Sequence, residues 1–239
     1  MSLNKKHTHL LFDLDQTLWD FRKNAIEIIH RLYNEFELEK HGIPGFEEYL
    51  DVYKTVNIGL WNRYRTGEID KLHLNNSRFT DTLKHFSNNT DLIGAKMAAS
   101  YIDYSPENIT LFDDTLSVLE YLKDNYQMHI ISNGFEEIQT PKLEKSGLIK
   151  YFKNIILSEH ALCLKPDTRF FEYTLDKIGT TPAECIVIGD DAEADVLGAS
   201  KAGIDQIWYR HAFHDGIKGI ENVQATHIIR SLTELKKIL

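Results

Sequence analysis

The second half of the chain alternates between short apolar runs and stretches with helical spacing, and this alternation restricts the fold more than any other feature of the sequence. From Ser105 onward, each apolar run is followed by a helical pattern and then by the next apolar run. Such alternation is typical of β-α units that build a parallel sheet. The predicted strands are Gln127–Ser132, Asn154–Leu157, Cys185–Gly189, Ile204–Tyr209 and a segment at Thr226–Ile229. The predicted helices are Thr115–Asn125, Glu136–Lys145, Thr168–Ile178, Ala192–Ala202 and a last helix from Leu232.

One apolar run near the start of the chain belongs to the same predicted sheet. His9–Phe12 is too short to be a helix, and it leads directly into Asp13, Asp15 and Thr17. A buried strand that ends in polar residues places them where open α/β sheets bind their ligands. Two carboxylates so close together repel each other unless a cation lies between them, and Mg²⁺ suits carboxylate and phosphate oxygens. On this stretch alone, capping of a turn by Asp and Thr explains the pattern equally well.

The residues between this first strand and Ser105 have the pattern of a helical bundle instead. Apolar residues recur at helical spacing from Ala25 to Phe36, and short polar or glycine-containing loops, including Ser87–Thr90, separate the segments. The three further predicted helices are Phe46–Tyr64, Asp70–Phe86 and Asp91–Tyr104. Successive helices with short loops are typical of a small bundle.

We therefore expect an α/β fold in which one domain interrupts another. Residues 1–19 and 105–239 are expected to form a core with a doubly wound, Rossmann-like parallel sheet. Residues 20–104 are expected to form a helical-bundle cap that is inserted after the first strand.

The composition is that of an ordinary globular protein and argues against several kinds of partner. Hydrophobic residues make up 42% and charged residues 26% of the 239 residues. The net charge of −9 argues against nucleic-acid binding, which needs a basic surface. No apolar run approaches membrane-spanning length, so no membrane partner is expected. Met1–Lys6 lacks the apolar segment of a secretory signal and the two cysteines form no disulfide framework, so a reducing cytoplasm is the simplest location.

Polar residues follow the predicted strands at four places, and together they predict a site for a phosphate and a metal ion. In chain order they are Asp13, Asp15 and Thr17; Ser132 and Asn133; Lys165; and Asp190, Asp191 and Asp195. Because the carboxyl ends of parallel strands meet at one edge of a sheet, residues far apart in the chain can share one site. The acids suit Mg²⁺ and supply a nucleophile, while the hydroxyl, amide and ammonium groups can bind phosphoryl oxygens. Each group alone is also typical of an ordinary turn or an exposed lysine. The occurrence of all four groups at successive strand ends favours a catalytic site over coincidence.

The order of these motifs resembles that of the haloacid dehalogenase-like hydrolases. The matching segments are Asp13-Leu14-Asp15-Gln16-Thr17, Ser132-Asn133-Gly134, Lys165-Pro166 and Gly189-Asp190-Asp191-Ala192-Glu193-Ala194-Asp195. The resemblance implies that Asp13 is the nucleophile that forms an aspartyl-phosphate and that Asp15 is the general acid and base. It implies that Asp13, the Asp15 carbonyl and Asp190 hold Mg²⁺.

The same resemblance assigns the remaining polar residues. Thr17, Ser132, Asn133 and Lys165 are expected to bind the phosphoryl group. Asp195 is expected to be a partner of Lys165 or of a metal-bound water, in a layer behind the site. Asp191 is placed in the same layer, although its position varies within the family.

The inserted segment and its flank resemble pyrimidine 5'-nucleotidases of the YjjG type. The segments that carry this resemblance are Asp15–Phe21, Leu60–Ile69 and Arg78-Phe79. It implies that the bundle closes over the site and that the Trp19–Phe21 flank and the spacing of Trp61, Gly67 and Arg78 mark a region that selects a pyrimidine base. The alternative is that Trp61 and Tyr64, which have helical spacing, belong to the core of the bundle, as aromatic residues more often do.

The function that follows is a Mg²⁺-dependent phosphomonoesterase for a small phosphate ester, with a pyrimidine nucleoside 5'-monophosphate as the expected substrate. The alternatives within the family are a sugar-phosphate phosphatase, a phosphomutase and a 2-haloacid dehalogenase, the last of which needs neither a metal nor an acid at Asp15. A non-enzymatic alternative is a receiver module that accepts a phosphoryl group. A monomer or a weak homodimer is expected.

Two other features of the sequence have ordinary explanations. His211 and His214 have a spacing that allows a shared helix face, but Phe213–Gly216 is predicted to be a polar loop and no metal site is expected there. Cys163 is expected to be a small buried side chain, and the alternative is a thiol whose pKa is lowered by Lys165.

Overall fold

The computed structural model describes residues 7–87, 91–215, 219–220 and 222–239. The predictions that concern Met1–Lys6, the Asn88–Thr90 loop and Gly216 lie outside the described residues. The chain divides into two compact units, which we call the sheet unit (Met1–Phe21 with Ile109–Leu239) and the helical unit (Arg22–Asn108). Within the described part of the chain, no helix is both long enough and apolar enough to cross a membrane.

Parallel strands of the sheet unit form one sheet, in the order β3-β2-β1-β4-β5-β6. The strands are β1 His9–Phe12, β2 Gln127–Ser132, β3 Asn154–Leu157, β4 Cys185–Gly189, β5 Asp205–Tyr209 and β6 His227–Ile229. The helices, in both units, are α1 Phe21–Glu35, α2 Phe46–Arg65, α3 Lys71–Lys84, α4 Asp91–Tyr104, α5 Thr115–Leu122, α6 Glu136–Lys145, α7 Ser158–Ala161, α8 Thr168–Ile178, α9 Gly198–Lys201 and α10 Leu235–Ile238. The prediction of a doubly wound parallel sheet is confirmed.

The first strand lies at the centre of the sheet, where the strand order reverses. Phe12 of β1 is in register with Ile130 of β2 on one side and with Ile188 of β4 on the other. The residues that follow β1, β2 and β4 therefore leave the sheet side by side. This is the position at which doubly wound sheets bind ligands.

The strands of the sheet are apolar on both sides because helices cover both faces. Leu10 and Phe12 of β1 pack into one buried cluster together with α5, while Leu11 packs into a second cluster with Phe170 and Phe171 of α8. Successive residues of a strand point to opposite faces. Between His9 and Asp13, this central strand therefore carries only apolar side chains.

The helical unit has a core of its own. Ile28, Ile29 and Leu32 of α1 pack with Tyr49 of α2 and Phe79 of α3 in this core. Leu72, an apolar residue at helical spacing in the predicted helix Asp70–Phe86, is 69% exposed and lies outside this core. The helix begins later than predicted because the Asp70 side chain accepts a hydrogen bond from the His73 backbone N–H and caps it.

The predicted helix Ala192–Ala202 is divided in two. Ala192–Leu197 forms a wider π-helical turn, and α9 follows it directly. The backbone N–H groups of Asp195 and Val196 both donate to the Asp191 carbonyl, at 3.0 and 3.2 Å, and the second of these bonds spans five residues. Such turns often occur at functional sites.

Candidate active site

Asp13 is the first residue beyond β1 and lies among polar groups. Its backbone N–H extends the strand pairing by donating to the Ile188 carbonyl at 2.9 Å. The Lys165 ammonium donates to its Oδ1 at 2.8 Å, and the Thr17 hydroxyl donates to its Oδ2 at 3.2 Å. Asp13 is only 7% exposed. The carboxylate is therefore held by one cation and one hydroxyl.

Lys165 is buried at the centre of the site. Its Nζ donates to Asp13 Oδ1, to Asp195 Oδ1 at 2.6 Å and to the Ile131 carbonyl at 3.1 Å. These bonds use all three of its donors. Burial by itself would lower the pKa of Lys165, but the two carboxylates outweigh it and raise the pKa. Lys165 is a fixed cation rather than the exposed lysine that the sequence alone also allows.

The side chain of Asn133 holds the backbone of Lys165. Its Nδ2 donates to the Lys165 carbonyl at 2.9 Å, and its Oδ1 accepts from the Lys165 N–H at 2.9 Å. The prediction placed Asn133 among the phosphate-binding groups, but its amide is bonded at both ends to this backbone. In this structure the side chain therefore fixes the position of Lys165.

Three carboxylates form a cluster that can hold a metal ion. One oxygen each of Asp13, Asp190 and Asp195 lies within 4.8 Å of the others. Burial raises the pKa of Asp13, an effect that Lys165 opposes and Asp195 adds to. Burial and the charges of Asp13 and Asp195 raise the pKa of Asp190 well above its ordinary value. Hard oxygen ligands in this number suit Mg²⁺, which would offset the repulsion among them.

The two other acids of this segment have different surroundings. Asp195 is 1% exposed, and its oxygens accept from Lys165 and, at 3.1 Å, from the Asp191 N–H. The Asp191 carboxylate accepts from the N–H groups of Glu193 and Ala194, both at 2.9 Å. Asp191 thus caps the π-helical turn, because both of these bonds are made to backbone groups of that turn.

Ser132 ends β2 with its hydroxyl oxygen already accepting hydrogen bonds. The Gly134 N–H donates to Ser132 Oγ at 3.1 Å, and Gln139 Nε2 donates to it at 2.7 Å. A hydroxyl has two acceptor positions and one hydrogen. With both acceptor positions in use, the hydrogen of Ser132 remains to be donated.

Asp15 is bonded to two residues of α6 that the sequence analysis missed. Lys142 Nζ donates to Asp15 Oδ1 at 2.6 Å, and Gln139 Nε2 donates to Asp15 Oδ2 at 2.8 Å. Asp15 lies outside the carboxylate cluster, and its predicted role as a metal ligand concerns its carbonyl alone. The sequence contained one indication of their role: Gln139 and Lys142 are three residues apart on the helix that follows Ser132, and therefore lie on the same face of that helix.

Two histidines after β5 also approach the first loop and the cluster. His211 Nε2 donates to the carbonyl of Gln16 at 2.6 Å, and Gln16 has a left-handed backbone with φ of 64°. His214 is 8% exposed and its Nε2 lies 3.7 Å from Asp190 Oδ2. The polar-loop prediction was therefore wrong for His214, since Ala212–His214 is a short 3₁₀ turn that buries this ring.

The alternative of an activated thiol at Cys163 was wrong. Burial raises the pKa of Cys163, and Asp167 adds to this effect. Cys163 is partly buried, and Cys185 of β4 is fully buried.

The residues considered for base recognition, three aromatic residues and one arginine, differ in their burial. Trp19 is fully buried in the core of the sheet unit, so its proposed role in stacking a base has no support. Arg78 is 5% exposed, donates to Asn75 at 2.9 Å and lies 5.2 Å from the ring centre of Tyr101. Trp61 and Tyr64 are half-buried and form an edge-to-face pair 5.7 Å apart, outside the buried core of the helical unit.

Comparison with known proteins agrees with this geometry. Residues 10–209 match the family described as haloacid dehalogenase-like hydrolase. The chain is 31% identical to the HAD-hydrolase YfnB of Bacillus subtilis, over 98% of this chain and 96% of YfnB. It is 34% identical to the pyrimidine 5'-nucleotidase PynA of Streptococcus pneumoniae (84% and 82% covered) and 29% identical to the pyrimidine 5'-nucleotidase YjjG of Escherichia coli (96% of each).

The fold agrees with a solved structure over its whole length. The crystal structure of Bacillus subtilis YfnB bound to magnesium matches with a TM-score of 0.85 and 30% identity, and covers 98% of this chain and 99% of that one. The family match begins in β1 and ends in β5, and so includes every strand end that contributes to the site. By motif order, by fold and by sequence, the chain belongs to the haloacid dehalogenase-like hydrolases, which confirms the family and the hydrolase class that its motifs predicted.

Proposed function

We propose that this hydrolase is a Mg²⁺-dependent phosphomonoesterase that acts through an aspartyl-phosphate on Asp13. The observation that carries the proposal is the arrangement around Lys165, whose ammonium group lies 2.8 Å from Asp13 and 2.6 Å from Asp195. A buried carboxylate held by a fixed cation, together with a Ser132 hydroxyl whose hydrogen remains to be donated, is suited to phosphoryl transfer. The names of PynA and YjjG support a pyrimidine nucleoside 5'-monophosphate as the substrate.

The residues fit a magnesium ion. Asp13 and Asp190, together with the carbonyl of Asp15, are the proposed ligands, and the 4.8 Å carboxylate cluster supports the first two. Asp195 is assigned to the layer behind the ion because it is the most deeply buried of the three carboxylates and is bonded to Lys165 and to the Asp191 N–H. When bound, the ion would supply positive charge that lowers the repulsion between Asp13 and the phosphate.

In the first step, a carboxylate oxygen of Asp13 attacks phosphorus and the P–O bond to the leaving alcohol breaks. The alcohol oxygen takes a proton from Asp15 as it leaves. Lys165 and the hydroxyl of Ser132 stabilise the phosphoryl oxygens during this transfer. The product is a phosphorylated Asp13 and a free alcohol.

In the second step, water attacks the phosphorus of the aspartyl-phosphate. Asp15, which gave up its proton in the first step, takes one from this water, and the bond between Asp13 and phosphorus breaks. Inorganic phosphate leaves and the Asp13 carboxylate is restored. The same residue therefore acts first as an acid and then as a base.

The presence of a held carboxyl at Asp15 argues against the dehalogenase alternative. A halide leaves without a proton, so that reaction has no use for an acid fixed by Lys142 and Gln139. A sugar-phosphate phosphatase remains the alternative that shares all of the chemistry. The groups described in the sheet unit recognise phosphate only, and we infer that the helical unit acts as the cap and selects the substrate. The half-buried pair of Trp61 and Tyr64 is a better candidate for base contact than Trp19.

The test is a panel of phosphate esters assayed with Mg²⁺ and with excess chelator. We expect UMP, dUMP and dTMP to be hydrolysed with a higher kcat/KM than purine nucleotides and sugar phosphates, and we expect chelator to abolish the activity. A preference for a sugar phosphate would contradict the nucleotidase assignment and leave the phosphatase assignment intact. Full activity in chelator would contradict the metal requirement, and a stable phosphorylated Asp13 would favour a receiver module.

The remaining expectations concern the state of the protein. A monomer or weak homodimer in the cytoplasm is part of the proposal, and the two free thiols at Cys163 and Cys185 support a reducing compartment. Sedimentation at micromolar concentration tests the oligomeric state.

A further inference from the structure

Helix α6 presents two buried polar side chains to the end of β1. Gln139 is fully buried and Lys142 is 2% exposed. Buried glutamine and lysine side chains are uncommon and need partners, because desolvation of either group costs free energy. The partners therefore indicate what these two residues do.

Both side chains are directed to the same carboxylate. Lys142 Nζ is 2.6 Å from Asp15 Oδ1, and Gln139 Nε2 is 2.8 Å from Asp15 Oδ2. Each oxygen of Asp15 thus has its own donor on α6. Two donors at fixed points define the plane of the carboxylate as well as its position.

The cation of this pair is held in place by aromatic rings. Lys142 Nζ lies 5.3 Å from the ring centre of Trp19 and 5.2 Å from that of Phe21. A lysine side chain is normally flexible, but burial against two ring faces restricts its ammonium group. Lys142 is therefore a fixed reference point for Asp15 rather than a mobile surface charge.

Gln139 also connects Asp15 to the phosphate-binding side of the site. Its Nε2 donates both to Asp15 Oδ2 and to Ser132 Oγ, at 2.8 and 2.7 Å. Because the bond to Ser132 uses an acceptor position of that hydroxyl, it turns the hydroxyl hydrogen away from Gln139. One amide group thus orients the proposed acid and base together with a proposed phosphate ligand.

We propose that Lys142 and Gln139 are positioning residues that hold the Asp15 carboxyl in the place from which it exchanges a proton with the ester oxygen. The inference rests on the proposed function of Asp15 as the general acid and base. Neither residue needs to touch the substrate. Their shared contribution is to keep the carboxyl from turning away, so the loss of either residue affects the proton-transfer steps. Loss of Lys142 should leave substrate binding unchanged, whereas loss of Gln139 also removes a bond that orients Ser132.

The experiment compares two esters and three variants. Lys142→Met keeps the length of the side chain and removes the charge, Lys142→Arg restores a cation, and Gln139→Leu removes the amide. The esters are the nucleoside or sugar phosphate that the wild type hydrolyses fastest, and p-nitrophenyl phosphate, whose leaving group needs no proton. Single-turnover release of the alcohol isolates the first step, and steady-state assays give kcat and KM.

For Lys142→Met we expect kcat on the ordinary ester to fall roughly 10- to 100-fold, less than the loss of the acid itself, with KM within about twofold. Single-turnover release of p-nitrophenol should fall by less than about threefold, because that leaving group does not depend on Asp15. Lys142→Arg should recover most of the lost kcat. Gln139→Leu should lower kcat on the ordinary ester in the same way, and should also raise KM because Ser132 loses its orientation.

The control is Lys145→Met, which removes an exposed positive charge from the same helix and should leave both activities unchanged. Equal losses on the two esters in the first step, or no loss in Lys142→Met, would overturn the inference. If Lys142→Met does not fold, as judged by circular dichroism, Gln139→Leu decides the matter by the same comparison of esters. A wild type that hydrolyses no phosphate ester would refute the proposed function and this inference together, whereas an active wild type with insensitive variants would refute this inference alone.

Discussion

Lys165 is the residue on which the charges of the site depend. It is the cation that contacts two of the three clustered carboxylates, and all of these groups are nearly or fully buried. Each like-charged neighbour and the loss of solvent make ionised Asp13 less favourable, and Lys165 only partly compensates for this. The site therefore holds more negative charge than its own lysine can balance. Because of this excess, a substitution that removes one of the clustered carboxylates should lower the activity without lowering the stability.

Asp13→Asn should abolish turnover without lowering stability. An amide cannot act as the attacking group, so phosphate release should fall by roughly 10³-fold or more, as for other catalytic nucleophiles. The substitution also removes one of the mutually repelling charges, so the melting temperature should stay the same or rise. Phosphate release and thermal unfolding of the same preparation measure the two effects. Activity within tenfold of the wild type would remove Asp13 from the nucleophile role, and the exposed Asp176→Asn is the matched control.

At the scale of elements, the residues that build the sheet were predictable because the rules that govern them are local. The apolar runs of β2, β3 and β4 are each bounded by turn residues, and the structure places these strands at the predicted ends. The helices α4, α6 and α8 likewise have the predicted bounds. What the pattern did not predict is the π-helical turn Ala192–Leu197, since its width depends on two N–H groups that share the Asp191 carbonyl.

The polar groups of the site also divide into those that were predictable from the sequence and those that were not. Asp13 and Asp190 follow strands directly and Ser132 is the last residue of one, and strand order alone brings them to one edge of the sheet. Gln139 and Lys142 lie inside a helix, and their burial depends on how α6 packs against the end of β1. Their helical spacing shows that they share a face but not which carboxylate that face meets. Tertiary packing determines which carboxylate the helix face contacts, and the residue spacing in a single sequence does not predict that packing.

The turn between β2 and α6 depends on a glycine. A Cβ atom at Gly134 would lie 2.2 Å from Gln139 Nε2 and 2.5 Å from its Cδ. The glutamine side chain could move to relieve this clash, but only by breaking its bonds to Asp15 and Ser132. The absence of a side chain at position 134 therefore leaves room for the Gln139 side chain to reach Asp15 and Ser132.

Gly134→Ala should lower both the stability and the activity. The clash should cost about 1–3 kcal/mol in the free energy of unfolding, measured by chemical denaturation. In the double variant Gly134→Ala/Gln139→Ala the clash is relieved, so stability should recover in part while activity stays low. Gly59→Ala, whose added Cβ meets nothing within 4 Å and which lies inside α2, is the control and should leave activity unchanged without lowering stability. Full activity in Gly134→Ala would show that the contacts of Gln139 do not matter.

At the scale of the whole molecule, two stacked histidines at the other end of the central strands make stability depend on pH. His9 of β1 and His129 of β2 have ring centres 5.3 Å apart, and His9 Nδ1 lies 3.1 Å from His129 Nε2. The Asn154 amide lies 3.0 Å from His129 Nδ1 and can donate to it. His129 then donates to His9 through Nε2, and each ring is neutral in this arrangement. Burial lowers the pKa of His9 and lowers that of His129 to about 4.

The contribution of His129 to the stability should therefore fall as the pH is lowered from about 6.5 to about 4, whereas the raised pKa of Asp13 contributes with the opposite sign over this range. In this range the unfolded chain binds a proton at His129 and the folded protein does not, so protons favour unfolding by at most about 1.4 kcal/mol per pH unit for this residue. Above pH 6.5 both states are neutral at this residue and the dependence disappears. His129→Gln should reduce the slope, measured by chemical denaturation at several pH values, while exposed His73→Gln should reduce it less. Equal slopes in wild type and His129→Gln would contradict the assignment.

The excess negative charge of the carboxylate cluster also predicts how the melting temperature responds to magnesium. A ligand that binds only the folded state adds free energy to that state as its concentration rises, by about 2.7 kcal/mol at 100 times the dissociation constant. For a chain of this size, this gain corresponds to a rise in melting temperature of about 2–4 °C for each kcal/mol. Because the chain has two compact units, we expect the shift in the transition of the sheet unit, which contains Asp13 and Asp190.

Asp190→Asn should affect the melting temperature differently in the absence and in the presence of Mg²⁺. Without metal, the variant should melt at the same or a higher temperature than the wild type, because a buried carboxylate that repels Asp13 and Asp195 has been removed. With Mg²⁺, the wild type should gain stability and the variant should gain much less, because an oxygen ligand has lost its charge. Thermal unfolding in chelator and across a Mg²⁺ titration measures both effects without relying on turnover, and Asp176→Asn should behave as the wild type. A variant that responds to Mg²⁺ as strongly as the wild type would show that Asp190 does not hold the ion, and a wild type that does not respond at all would show that the cluster is balanced in another way.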